Sequence, residues 1–198
     1  MDSVSLNPSF VAAARETSPT RVKRGLIADG YQMLGADHFV QCLHHPDHPD
    51  EVVVINIETG WAPSFYRMCQ QNPGNPYLPR IFDVKEKDGF CVVRMEKLVA
   101  LDHDGLSEGD RAMLAENARQ IIEGVTGGGA GMTAEGRAAF ARILTCAGDI
   151  YRCSAGETFP FFYKKPENVF GRRLPDGSLH PVMGDLMFPG GRLKSAND

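Results

Sequence analysis

The chain has 198 residues, a mass of 21.7 kDa and a net charge of -4, with 42% hydrophobic and 23% charged residues. That is enough apolar content for one core or one compact two-lobed domain, and it excludes a charge-driven nucleic-acid binder or a solvating tail. No segment approaches the ~18 apolar residues of a membrane span, so a soluble protein without a leader is expected.

In chain order, residues 1–29 are polar with a short helical patch from Phe10 to Arg15, which predicts a surface lead-in. Tyr31–Leu34 and Phe39–Leu43 are short apolar runs joined by Gly35-Ala-Asp-His38, the pattern of a hairpin. His44 to Asp50 is a Pro-rich turn, and Glu51 to Ile57 carries the strongest strand signal in the chain. A helix is predicted over Ala62–Gln71, stopped by Asn72-Pro-Gly-Asn-Pro76. Ile81–Val84 and Phe90–Met95 then form a hairpin turned at Lys87-Asp-Gly89.

The second half changes character. Residues 107–123 and 133–153 carry helical periodicity, opened by Ser107 with Asp110 and by Thr133. Gly124 to Gly131 reads as a flexible linker, because no strand precedes its Gly-rich run. Extended pieces at Asn168–Gly171 and His180–Met183 flank a turn at Pro175-Asp-Gly177. Strands first and helices later indicate an α+β class, with a seam near Lys97 to Gly105. The five cysteines are scattered, without a C-x-x-C pair, and read as reduced thiols. His38, His44, His45 and His48 lie around Pro46 and Pro49, a surface turn rather than a zinc site.

This order of elements resembles that of a protein kinase. Leu34-Gly-Ala-Asp-His-Phe39 resembles the start of a Gly-rich loop, and Val54-Ile-Asn-Ile57 falls where a V-A-I-K strand belongs. Arg94-Met-Glu-Lys-Leu98 looks like the hinge between lobes. Lys165-Pro-Glu-Asn168 resembles the tail of a catalytic loop, and Gly184-Asp-Leu186 the metal-binding Asp motif. The family most resembled is the early serine/threonine protein kinases of short-tailed lytic phages, best over Gly30 to Leu98 and again over Phe162 to Phe188.

The resemblance implies a two-lobed kinase-like fold. A five-stranded antiparallel sheet with one helix would occupy residues 30–98, and a truncated helical lobe residues 99–198, with 1–29 as the lead-in. It implies ATP and magnesium as cofactors, with Leu34, Gly35, Val54, Met95, Glu96, Leu98, Asn168 and Asp185 at the nucleotide. Asn168 and Asp185 would hold the metal through hard oxygen ligands.

Phosphoryl transfer needs charge neutralisation and positioning, and here the sequence departs from the family. Asn56 stands at the lysine position, and no lysine occurs between Gly25 and Val84. The helix 62–71 has no Asp or Glu, and its one cation, Arg67, reads as a solvated surface residue. Tyr163 stands where the catalytic aspartate belongs, a poor base at neutral pH, within a bulky Phe161-Phe-Tyr163 segment. Asp37 puts a negative charge in the phosphate loop. Only 13 residues follow Asp185, with no A-P-E segment.

The expectation is therefore a phage pseudokinase that binds ATP weakly or not at all. It would act in the host cytoplasm by binding a host or phage protein, with no nucleic acid and no membrane. Its surfaces would be Phe159–Tyr163 or the face around Trp61. The alternatives are an active serine/threonine kinase or other ATP-dependent transferase, and a non-catalytic Mg-nucleotide sensor.

Overall fold

The computed structural model describes residues 8–36, 38–57, 62–100, 105–127 and 169–184. The elements are α1 (Pro8–Ala13), α2 (Pro19–Ala28), β1 (Gln32–Ala36), β2 (Val40–His45), β3 (His48–Asn56), α3 (Ala62–Gln71), β4 (Ile81–Lys87), β5 (Phe90–Glu96), α4 (Glu108–Gly127), β6 (Val169–Arg173) and β7 (Leu179–Met183). The class is mixed α+β, and the chain divides into two compact units.

The first unit holds the described residues through Gln70 together with Arg80–Lys97. Its five strands form one antiparallel sheet in the order β1-β2-β3-β5-β4. The strands and the intervening helix α3 agree with the sequence expectation to within a few residues. The exceptions are turns. Gly35 and Ala36 belong to β1 rather than to the first turn, and the turn after β2 shrinks to Pro46-Asp47. Pro49 is already in β3, near the strand's start, where a missing N–H is tolerated.

β3 and β5 are buried over consecutive residues, so both faces of the sheet centre are covered. On one face Leu43, Val53, Ile55, Phe90 and Val92 pack with Phe10, Ala13, Ala14, Val22, Leu26 and Tyr31. Residues expected to form a surface lead-in thus supply core side chains, with Phe10, Val22 and Leu26 almost wholly buried. Each such burial is worth about 1.5–3 kcal/mol. Polar content hid this: Val22 and Leu26 are one helical turn apart among Arg21, Lys23 and Arg24, a narrow apolar stripe on a basic helix.

α2 has firm ends. The Ser18 hydroxyl accepts from the Arg21 N–H at 3.4 Å, and Pro19 occupies the first turn. At the other end the Gly30 N–H donates to the Ile27 carbonyl and the Tyr31 N–H to the Leu26 carbonyl, with Gly30 at φ +96°. The His45 ring locks this end to the sheet. Its Nδ1 accepts from the Asp47 N–H at 3.1 Å, so its proton sits on Nε2 and is donated to the Asp29 carbonyl at 3.0 Å. A Cβ on residue 30 would lie 2.9 Å from that Nε2, a second reason for glycine there.

The second unit comprises Gln71–Pro79 and the described residues from Leu98 onward. β6 and β7 pair as an antiparallel hairpin around Gly177 at φ +84°, and Val99 exchanges two 2.8 Å backbone bonds with Gly171. α4 begins at a Ser107 cap, whose Oγ accepts from the Asp110 N–H at 3.1 Å. The helix packs Leu114 against Leu106, Leu179 and Val99. It runs through Gly127, so the first half of the segment read as a linker is helical. The buried Arg172 guanidinium donates to the Pro76 carbonyl at 2.6 Å and the Leu78 carbonyl at 2.7 Å, fixing the 71–79 loop to the hairpin. The helix expected at 133–153 lies outside the described residues. Among the described residues no helix is long and apolar enough to cross a membrane.

Candidate functional site

In the first unit the candidate site is built on the face of the sheet opposite α1 and α2. Strand alternation puts Val52, Val54 and Asn56 on that face of β3, and the register adds Cys42 from β2 with Cys91, Val93 and Met95 from β5. α3 meets this face through Tyr66, and its Phe65, Tyr66, Met68 and Cys69 are buried.

Asn56 is 2% exposed, and its Nδ2 lies 3.5 Å from the Tyr66 hydroxyl on α3, a side-chain bond that joins strand and helix. This is where the kinase resemblance expects a lysine on the strand and a glutamate on the helix. An amide and a phenol stand there instead. Both are neutral, and α3 has no carboxylate along its length.

The electrostatics agree. Cys91, the cross-strand partner of Asn56, has its thiol pushed up to about 12, first by burial and then by Glu86. Burial likewise pushes Cys42 up to about 11, against a smaller opposing effect of Lys97. Cys91 is buried and Cys42 partly so, and desolvation of this kind penalises charge. A phosphate could not sit among these side chains without a fixed cation beside it.

The other candidates in this unit are dispersed. Val54 is buried between Cys42 and Val93, and Met95 between Val52 and Ile81 in register. Leu34 stands 47% exposed on β1, where the register to β2 breaks, and Gly35 pairs with Cys42. Glu96 turns to β4: its carboxylate accepts from the Arg80 N–H at 2.7 Å while its own N–H donates to the Arg80 carbonyl. Arg67, read as a solvated arginine, is largely exposed but forms an ion pair with Glu86 of β4. Tyr66 was missed by sequence reasoning. The signal would have been that a buried Asn on β3 needs a partner, and Tyr66 is the polar-tipped aromatic on the helix that follows.

In the second unit Leu98 follows β5 and precedes the Val99–Gly171 bridge. Val169 pairs with Met183 at the open end of the β6–β7 hairpin. Asn168 and Asp185 lie outside the described residues, as do Asp37, Trp61 and Phe159–Tyr163. Among the described residues no group of three or more His, Cys, Asp or Glu side chains converges to hold a metal.

No family model matches the chain, and no curated protein matches it. Among solved structures it is similar to the kinase PK-1 of Cydia pomonella granulovirus, with a TM-score of 0.40 and 11% identity. The match covers 82% of this chain and 56% of that one, so the chain spans little more than half the length of that structure. A likeness this distant assigns neither fold nor activity.

Proposed function

We propose that this chain is a kinase-like domain of phage type that has lost phosphotransferase chemistry and acts by binding a host or phage protein in the host cytoplasm. The observation that supports it most is the buried Asn56–Tyr66 pair between β3 and α3. A kinase uses that position to neutralise phosphate charge, and electrostatic stabilisation is the larger part of such catalysis. Here the position is spent on packing. The order of elements, three strands, a helix and two strands in one antiparallel sheet, is the order the family resemblance implies. ATP and magnesium are then bound weakly or not at all, and neither nucleic acid nor membrane enters this reading.

A second reading, a Mg-nucleotide sensor, draws on the β6–β7 hairpin. Val169 pairs with Met183 in that hairpin, and the family resemblance assigns the metal-holding roles to Asn168 and Asp185. One experiment separates the readings: titration calorimetry with Mg-ATP, run beside transfer of labelled γ-phosphate to the protein itself and to host lysate. No transfer and no binding is the expected result. Binding without transfer, lost in Asp185→Ala and Asn168→Ala, favours the sensor. Transfer abolished by either substitution overturns the proposal in favour of an active kinase.

A further inference from the structure

The sheet has two edges, and they are built differently. β4 carries Asp83, Lys85, Glu86 and Lys87 among its seven residues, the usual protection of an edge against pairing with another chain. β1, Gln32-Met-Leu-Gly-Ala36, has no charge and no proline, and all five residues are exposed. Met33 is 38% exposed and Leu34 47%, and beside them Phe39, at the entry to β2, is 54% exposed. Three of the six exposed large hydrophobic residues among those described therefore lie on one hairpin. The free side of β1 offers a row of backbone groups and an apolar rim with no electrostatic bar to a further strand.

From this edge we infer that β1 pairs antiparallel with β1 of a second copy of the chain, extending two sheets into one across a two-fold axis at Leu34. An uncharged strand can face itself without like-charge repulsion, and an isologous contact sets Leu34 against Leu34 and Met33 against Gly35. The register break against β2 falls between Met33 and Gly35, at the axis, so the irregularity is shared symmetrically. A five-residue strand is only about 17 Å long. Such an edge buries less than the ~1,200 Å² of a stable complex, so the dimer is reversible, with a dissociation constant in the micromolar range or weaker. This inference is independent of the nucleotide question.

The test is sedimentation equilibrium of the full chain from low micromolar to submillimolar concentration, on the wild type, Leu34→Lys, Leu34→Glu and an equimolar mixture of the two variants. The expected result is a concentration-dependent wild-type dimer, two monomeric variants and a mixture that associates again, because Lys faces Glu across the axis. A wild type that stays monomeric overturns the inference. So does a dimer indifferent to both substitutions, or a mixture that fails to associate. Leu34 is exposed, so the variants should fold, which circular dichroism checks. Should they not, hydrogen exchange on the wild type decides: β1 amides must gain protection as concentration rises, and unchanged exchange refutes the pairing.

Discussion

Replacing Asn56 by lysine restores the residue type that a kinase strand would carry, and the structure says what it costs. Position 56 is 2% exposed, its side chain donates to the Tyr66 hydroxyl, and α3 has no carboxylate to pair with an ammonium. A lysine held neutral there at pH 7 forfeits about 3.4 pH units of its ordinary titration, at about 1.4 kcal/mol each, roughly 4–5 kcal/mol. An unpaired buried charge costs a comparable ~3–5 kcal/mol. Against a domain stability of about 5–15 kcal/mol, Asn56→Lys should be folded but marginal. Urea denaturation measures the loss, and its pH dependence shows the cause. The folded state binds fewer protons than the unfolded one, so stability must rise with pH, recovering about 1.4 kcal/mol per unit between pH 7 and 9. A pH-independent deficit would mean that the lysine keeps its proton in the folded state or that packing damage alone is felt. The double variant Asn56→Lys/Tyr66→Glu supplies the missing carboxylate and should regain about 2–3 kcal/mol over the sum of the single losses. If Asn56→Lys were as stable as the wild type, position 56 would face water or an open phosphate cleft, and the support for lost catalysis would fail.

Two further outcomes follow from buried chemistry. Arg172→Met removes the donors of two loop carbonyls at 2.6 and 2.7 Å and should cost about 2–4 kcal/mol by urea denaturation, with faster exchange of the Met183 amide that donates to Tyr77; a loss under ~1 kcal/mol would refute the clamp. Cys91, buried and pushed up to about 12, should resist alkylation at pH 8 until the protein unfolds, and Cys42, partly exposed and pushed up to about 11, should react more slowly than a free thiol. Their sign is opposite to that of the lysine variant: the unfolded thiols lose protons first, so stability is full below pH ~9 and declines above it as pH climbs toward the folded values. Rapid labelling of Cys91 in the native protein, read by mass spectrometry of peptides, would contradict its burial.

Local pattern determined most of the first unit. Val52–Ile55 and Phe90–Val93 are apolar runs, rich in β-branched residues, that read as strands, and Asn72-Pro-Gly-Asn-Pro76 ends α3 wherever the rest of the chain lies. Gly89 and Gly177, both at positive φ, mark their turns without reference to anything distant. Side-chain chemistry also announced the missing lysine at Asn56 and the missing acid on α3, since both are absences in the sequence itself.

What the sequence left open is what depends on partners far along the chain. The 1–29 segment looked like a lead-in because its charge is local, whereas the burial of Phe10, Val22 and Leu26 exists only once β2, β3 and β5 present a second apolar face. Gly124 and Gly127 read as breakers, yet they lie in the last turn of a helix that continues from the Ser107 cap. Arg172 carried no reading from the sequence, because the carbonyls it serves lie 94 and 96 residues away. Tyr66 became the partner of Asn56 because the fold brings the α3 side chain to the end of β3, an arrangement that no spacing along the chain encodes. Strand order is of the same kind: β5 inserts between β3 and β4 because its unbroken apolar run needs cover on both faces and both edges, while the charged β4 can bear an edge exposed to water.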